Sequence, residues 1–145
     1  MGMFDRTLVC PPFGRLTAQG QSSIWEGTIK LEHLGADFEL RVHGQRAGPL
    51  PEQAVAFKHL LANVERLRSQ AASALVSYLL RSGVVPRGVE LSDTNLWRYL
   101  QPCWIEVHDG ADARACTITF ATPWDSVGVS IDVVDGELDD VHSEG

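Results

Sequence analysis

The chain has 145 residues, of which 44% are apolar and 21% are charged, as in an ordinary globular protein. This length predicts a single domain over residues 1–145 with one core. No apolar run approaches the ~18 residues that a membrane-spanning helix requires. The first residues show no signal-peptide pattern, so we expect a cytoplasmic protein without a membrane partner.

Negative charge is concentrated in the last part of the chain. Residues 106–145 contain one Arg and 10 acidic residues, a net charge of −9, whereas residues 1–105 carry 11 basic and 9 acidic residues. An acidic end repels phosphate backbones, which argues against nucleic-acid binding, and it suits a basic protein partner. A solvated end that aids solubility is the alternative. The candidate binding residues here are Asp135, Glu137, Asp139 and Asp140.

The three cysteines, Cys10, Cys103 and Cys116, have no metal-binding spacing. Their odd number gives no disulfide framework either, and reduced thiols in a cytoplasm are expected. Cys103 and Cys116 alternate with apolar residues, so we predict that both are buried as small hydrophobic side chains.

The first part of the chain predicts a meander of β-strands. Residues 1–12 are expected to form an extended lead-in, because the Pro11-Pro12 pair disfavours a helix. After it, apolar side chains alternate with polar ones, the period of a strand with one buried face. The predicted strands cover residues 13–17, 24–31 and 37–43.

A long helix is predicted next, from Pro51 to Arg81. Its apolar residues recur every three or four positions and form one stripe, and Gly83 is placed to end it. Because about seven turns is long for this chain, a kink is expected near Ser69.

The last part returns to a period of two. A short helical turn is predicted at residues 93–100, and Asp125 is expected to cap the turn that precedes the next strand. Residues 142–145 are expected to be a flexible tail. The predicted strands cover residues 104–108, 113–121, 126–134 and 138–141.

This order of elements predicts an α+β fold, with an antiparallel sheet and the long helix packed on one face. Trp104, Glu106 and His108 are then expected on the outer, polar face, where they are candidate binding residues. His43 joins them there, and a His and Glu set of this kind is one that a metal site would need. Since no metal-binding or catalytic motif is met, we predict no metal, no cofactor and no catalytic residues.

The chain resembles a family of small bacterial cytoplasmic proteins of unknown function, some of them encoded near toxin immunity genes. The resemblance covers nearly the whole chain through short motifs: Phe13–Leu16, Trp25–Ile29, Pro49–Gln53, Ala74–Tyr78 and Trp124–Val129. The family commonly has Glu-His before the glycine of its late motif, where this chain has Ser126-Val127. This departure favours a structural or binding role, and the resemblance implies no site residues.

Three functions therefore stay open. The first is a non-catalytic protein-binding module, similar to an immunity protein, that faces a basic toxin with its outer sheet face or its acidic end. The second is a small enzyme or small-molecule binder with a pocket between helix and sheet. The third is a structural protein that self-associates, for example as a homodimer through the face around Trp104.

Overall fold

The computed structural model describes residues 5–34 and 36–143. It is an α+β structure with eight strands in one sheet and two α-helices. The strands are β1 (Asp5–Cys10), β2 (Gly14–Gln19), β3 (Ile24–Leu31), β4 (Ala36–His43), β5 (Gln101–Val107), β6 (Ala115–Ala121), β7 (Val129–Val134) and β8 (Glu137–His142). The helices are α1 (Pro51–Ala62) and α2 (Val64–Ser82).

The strands lie in the sheet in the same order as in the chain, from β1 to β8. Every neighbouring pair is antiparallel except β4 and β5, which are parallel. The prediction of an antiparallel sheet is therefore right for six of the seven pairs and wrong for this one. The two helices return the chain to the end of the sheet where β4 began, and a parallel pair needs a crossover of this kind.

The predicted long helix is two helices, and the break lies at Asn63 rather than near Ser69. Asn63 leaves helical geometry, with φ −117° and ψ 12°. Its side-chain Nδ2 donates to the carbonyl oxygen of His59 at 2.7 Å. Short polar side chains compete with helical hydrogen bonds in this way. As predicted, Pro51 opens α1 and Gly83 ends α2 with a left-handed φ of 77°.

The predicted lead-in is also wrong in part, because residues 5–10 form β1 along the whole of β2. Arg6 secures this hairpin by donating to the carbonyl oxygens of Gly20, Ser22 and Arg46. At the other end His142 belongs to β8, so the prediction of a tail from residue 142 is wrong for this residue; residues 144 and 145 lie outside the described residues.

Both helices pack on one face of the sheet, and their apolar stripe joins the inner side chains in one core. The predicted core strands are confirmed, since their inward residues are buried, apart from Ile29, which is half-buried. Neither α1 nor α2 is long and apolar enough for a membrane span.

Candidate binding site on the outer sheet face

A groove of about 640 Å³ lies on the outer face of the sheet, between β2 and β5. Three cavities that α2 helps to line are smaller, at about 420, 290 and 270 Å³. The sequence left open a pocket between helix and sheet. Buried side chains such as Phe57 and Phe120 fill the middle of that layer. Small cavities lie at its borders, against β3 and against β8. The groove residues are Arg15, Thr17, Glu26, Gly27, Thr28, Glu39, Leu40, Arg41, Trp104 and Glu106.

Gly27 lets β2 approach β3 closely at the floor of this groove. A Cβ atom at Gly27 would lie 2.7 Å from the carbonyl oxygen of Arg15, closer than two such atoms pack. The register between the two strands pairs Thr17 with Glu26. Gly27 stands at an inward position of β3, where it is a contact point between backbones, as glycine inside a strand often is.

A row of polar side chains crosses the outer face from β2 to β8, and we call it the central row. Its members are in register with one another on neighbouring strands: Thr17, Glu26, Arg41, Glu106, Thr117, Asp132 and Asp140. Arg41 lies 4.0 Å from carboxylate oxygens of both Glu26 and Glu106. These cross-strand ion pairs place one guanidinium between two carboxylates inside the groove.

His43 and His108 stand side by side at the ends of the parallel pair. Nε2 of His43 donates to Oε2 of Glu106 at 3.2 Å, so Glu106 serves both the groove and the histidines. The two imidazole rings stack with their centroids 6.4 Å apart. The outer-face positions predicted for Glu106 and His108 are thus confirmed, and the two side chains meet through His43.

The row of hydrogen bonds continues from His108 to β8. Thr117 Oγ1 donates to Oδ1 of Asp132 at 2.8 Å, and this uses its only proton. Nε2 of His108, at 2.7 Å from the same hydroxyl, must therefore donate to it. His142 Nε2 donates to the same oxygen of Asp132 at 3.0 Å. Three histidines and two carboxylates are in this way ordered across five strands.

Gln53 fixes the backbone beneath the histidines. Its side chain is fully buried at the start of α1. Nε2 donates to the carbonyl oxygens of His43 and His108, at 2.7 and 2.6 Å, while Oε1 accepts from the backbone N–H of Leu50 at 2.7 Å. One amide thus joins the ends of β4 and β5 to the helix. Sequence reasoning missed this role, because a glutamine near a helix start is usually solvated.

Trp104 is the large apolar side chain of the groove and is 42% exposed. It lies on the outer face, as predicted, opposite Glu39 in the register of β4 and β5. The register of β5 with β6 shifts between Pro102 and Trp104. Cys103 lies in this irregularity and is half-buried at the surface, so the prediction that it is buried is wrong. The prediction is confirmed for Cys116, where burial raises the pKa of the thiol to about 12.

The acidic end is a β-hairpin whose charge is partly neutralised within the chain. Asp135 pairs with Arg114, and Glu137 pairs with Arg66 of α2. Asp139 and Asp140 are exposed on β8. The candidate residues of this end therefore do not join Trp104 in the groove, although Asp140 lies at the far end of the central row.

The outer face presents hydrogen-bonding and charged side chains. Among residues 5–34 and 36–143, no cluster of three or more His, Cys, Asp and Glu side chains has the geometry to hold a metal ion. Comparison with protein-family models, curated proteins and solved structures gives no match. The resemblance stated from the sequence motifs stays a prediction.

Proposed function

We propose that this chain is a non-catalytic protein-binding module that contacts its partner through the outer face of the sheet, at the groove around Trp104. The observation that carries the proposal is an indole that is 42% exposed beside a concavity of about 640 Å³. Tryptophan is enriched among the residues that dominate binding energy at protein interfaces.

The surroundings of Trp104 support this use. Protein interfaces combine an apolar centre with a polar rim. The rim here consists of charged side chains that are already ordered by one another, since Arg41 is shared between Glu26 and Glu106. A partner that binds preordered side chains loses less conformational freedom on binding. The helices occupy the opposite face, so they leave the groove open.

The charge of the chain favours a basic partner, in agreement with an immunity-like role towards a basic toxin. The net charge is −7, and Asp139 and Asp140 extend the negative surface along β8. Since Asp135 and Glu137 are engaged with arginines, we assign the acidic end to electrostatic steering and the groove to contact. Three free cysteines agree with a reducing compartment such as the cytoplasm.

A capture experiment with matched variants tests the proposal. Trp104→Ala removes the exposed indole, and Val55→Ala truncates a side chain that is 54% exposed on α1, away from the groove. Each immobilised protein is incubated with lysate of the native cell at low and high salt. We expect a basic protein that the wild type and Val55→Ala capture in a salt-sensitive way and that Trp104→Ala loses. Equal capture by all three proteins would contradict the proposal.

Self-association is the second candidate, because the same exposed indole lies on a sheet face that the helices leave uncovered. Light scattering of the wild type and Trp104→Ala separates the two functions. A homodimer that Trp104→Ala converts to a monomer would assign the face to a second copy of the chain. If the wild type is a monomer, self-association is excluded and the face is assigned to binding of a different protein.

A further inference from the structure

Trp104 separates two adjoining cavities on the outer face. One is the groove, and the second, of about 410 Å³, lies towards the start of β5. Thr28, Glu39 and Trp104 line both cavities. A side chain placed over the indole therefore has space on either side of it, and Glu39 beside it in either position.

The second cavity is negatively charged. It is lined by Asp37 and Glu39, which are both exposed on β4, and its lining contains no basic residue. The nearest cation in the register is Lys30, opposite Asp37, and its ammonium lies 3.8 Å from Glu32. Arg41 is directed to Glu26 and Glu106. The ion pairs found among the described residues thus include neither Asp37 nor Glu39.

The other tryptophans of the chain show what an indole of this protein ordinarily contacts. The guanidinium of Arg6 lies 5.0 Å from the ring centroid of Trp25, and that of Arg68 lies 5.1 Å from Trp97. Trp124 packs on Tyr99. Within residues 5–34 and 36–143, Trp104 has no such partner, although two carboxylates flank it.

We infer that the Trp104 subsite, formed by Trp104, Glu39 and Asp37, receives an arginine side chain of the partner. The guanidinium lies over the indole face, where the ring quadrupole attracts it, and its N–H groups donate to the two carboxylates. Arginine suits the subsite better than lysine, because a planar guanidinium stacks on an aromatic ring and still presents donors at its edge. This inference rests on the proposed function and names the chemistry of the partner.

A short peptide tests the subsite without the natural partner. The probe is acetyl-Gly-Arg-Gly-amide, and its control carries citrulline, which has nearly the same shape without the charge. Binding to the full chain is followed by NMR through the indole N–H of Trp104, assigned with Trp104→Phe. We expect a saturating shift of this signal with the arginine peptide in the millimolar range and no saturation with the citrulline peptide. Equal shifts with both peptides would overturn the inference.

Paired variants give the second readout. Asp37→Asn with Glu39→Gln removes the two carboxylates, and Glu52→Gln with Glu90→Gln makes the same charge change at exposed positions elsewhere. We expect the first pair of substitutions to lower the affinity for the arginine peptide roughly three- to tenfold, as loss of exposed ion pairs does. The second pair should change this affinity less than twofold. Equal weakening by both pairs would show general electrostatics and overturn the subsite.

The same variants distinguish failure of the inference from failure of the proposed function. If Trp104→Ala loses the captured protein and the Asp37→Asn, Glu39→Gln pair retains it fully, the module stands and the arginine subsite is wrong. If Trp104→Ala retains the captured protein, the binding face itself is wrong.

Discussion

The imidazole rings of His43 and His108 lie nearly parallel, with 13° between their planes. The two residues are 65 positions apart in the chain, and they meet because β4 and β5 run parallel with Val42 beside Val107. A single buried amide, that of Gln53, holds the backbone carbonyls of both. The order of the outer face therefore depends on a side chain that lies beneath it.

Replacing Gln53 should destabilise the protein strongly. Gln53→Ala leaves the carbonyl oxygens of His43 and His108 and the N–H of Leu50 without their partner, and we expect a loss of about 3 kcal/mol in the free energy of unfolding. Urea denaturation measures it. The control is Gln70→Ala, at an exposed position of α2, which should change stability by less than about 0.5 kcal/mol. A similar small change for both variants would show that the amide is not the link.

The turn between β7 and β8 should tolerate no side chain at Gly136. A Cβ atom there would lie 2.7 Å from the carbonyl oxygen of His59, at the break between the helices. The control is Gly88→Ala, since Gly88 has a similar φ of +92° and the described residues leave its Cβ position open. We expect Gly136→Ala to cost about 1–3 kcal/mol more than Gly88→Ala in urea denaturation. An equal loss of stability in the two variants would show that backbone strain alone, and not the contact with His59, causes the effect.

The hydroxyl of Thr117 should contribute more to the free energy of unfolding than a surface hydroxyl does. Thr117→Val keeps the shape of the side chain but removes the group that joins His108 to Asp132. We expect a loss of about 1–2 kcal/mol, because the half-buried Nε2–H of His108 loses its acceptor and Asp132 Oδ1 keeps His142 as its donor. Thr28→Val, at an exposed position of the same face, is the matched control and should be nearly neutral. Thermal and urea unfolding of both variants check the difference.

The three thiols should divide into two classes. Burial raises the pKa of Cys116 to about 12, so at pH 8 its thiolate fraction is negligible and its reaction with a thiol reagent must await unfolding. Cys10 and Cys103 are half-buried. We expect two thiols to react in the folded protein and a third after denaturation, with Cys103→Ser reducing the early number to one. Three early thiols would contradict the packing of β6.

The strands could be predicted where one face is buried along the whole strand. The alternation of Trp25, Ile29 and Leu31 with polar residues predicts β3 with its observed bounds. β1 was missed because Leu8, Val9 and Cys10 do not alternate, and Val9 is 72% exposed. Pairing with β2 stabilises this edge strand, and such pairing cannot be predicted from the residues of β1 alone.

The candidate site could be predicted in part for the same reason. A period of two places Trp104, Glu106 and His108 on one face, and the structure confirms it. The alternation of residues cannot indicate that Arg66 pairs with Glu137 or that Arg114 pairs with Asp135, because these contacts join distant parts of the chain. The parallel pairing of β4 and β5 also depends on where the helices return the chain. These long-range contacts decide which acidic side chains form ion pairs within the chain.

The strands lie in the sheet in the order in which they occur in the chain, and this order affects how the protein folds. Six of the seven strand pairs join neighbours in the chain across turns or short connections, so each closes at small entropic cost. The pair of β4 and β5 closes over the long connection of residues 44–100, and contacts of large sequence separation form slowly. The meanders β1–β4 and β5–β8 can therefore form independently of each other. Pairing of β4 with β5, which brings His43 beside His108, is then the slowest step of folding.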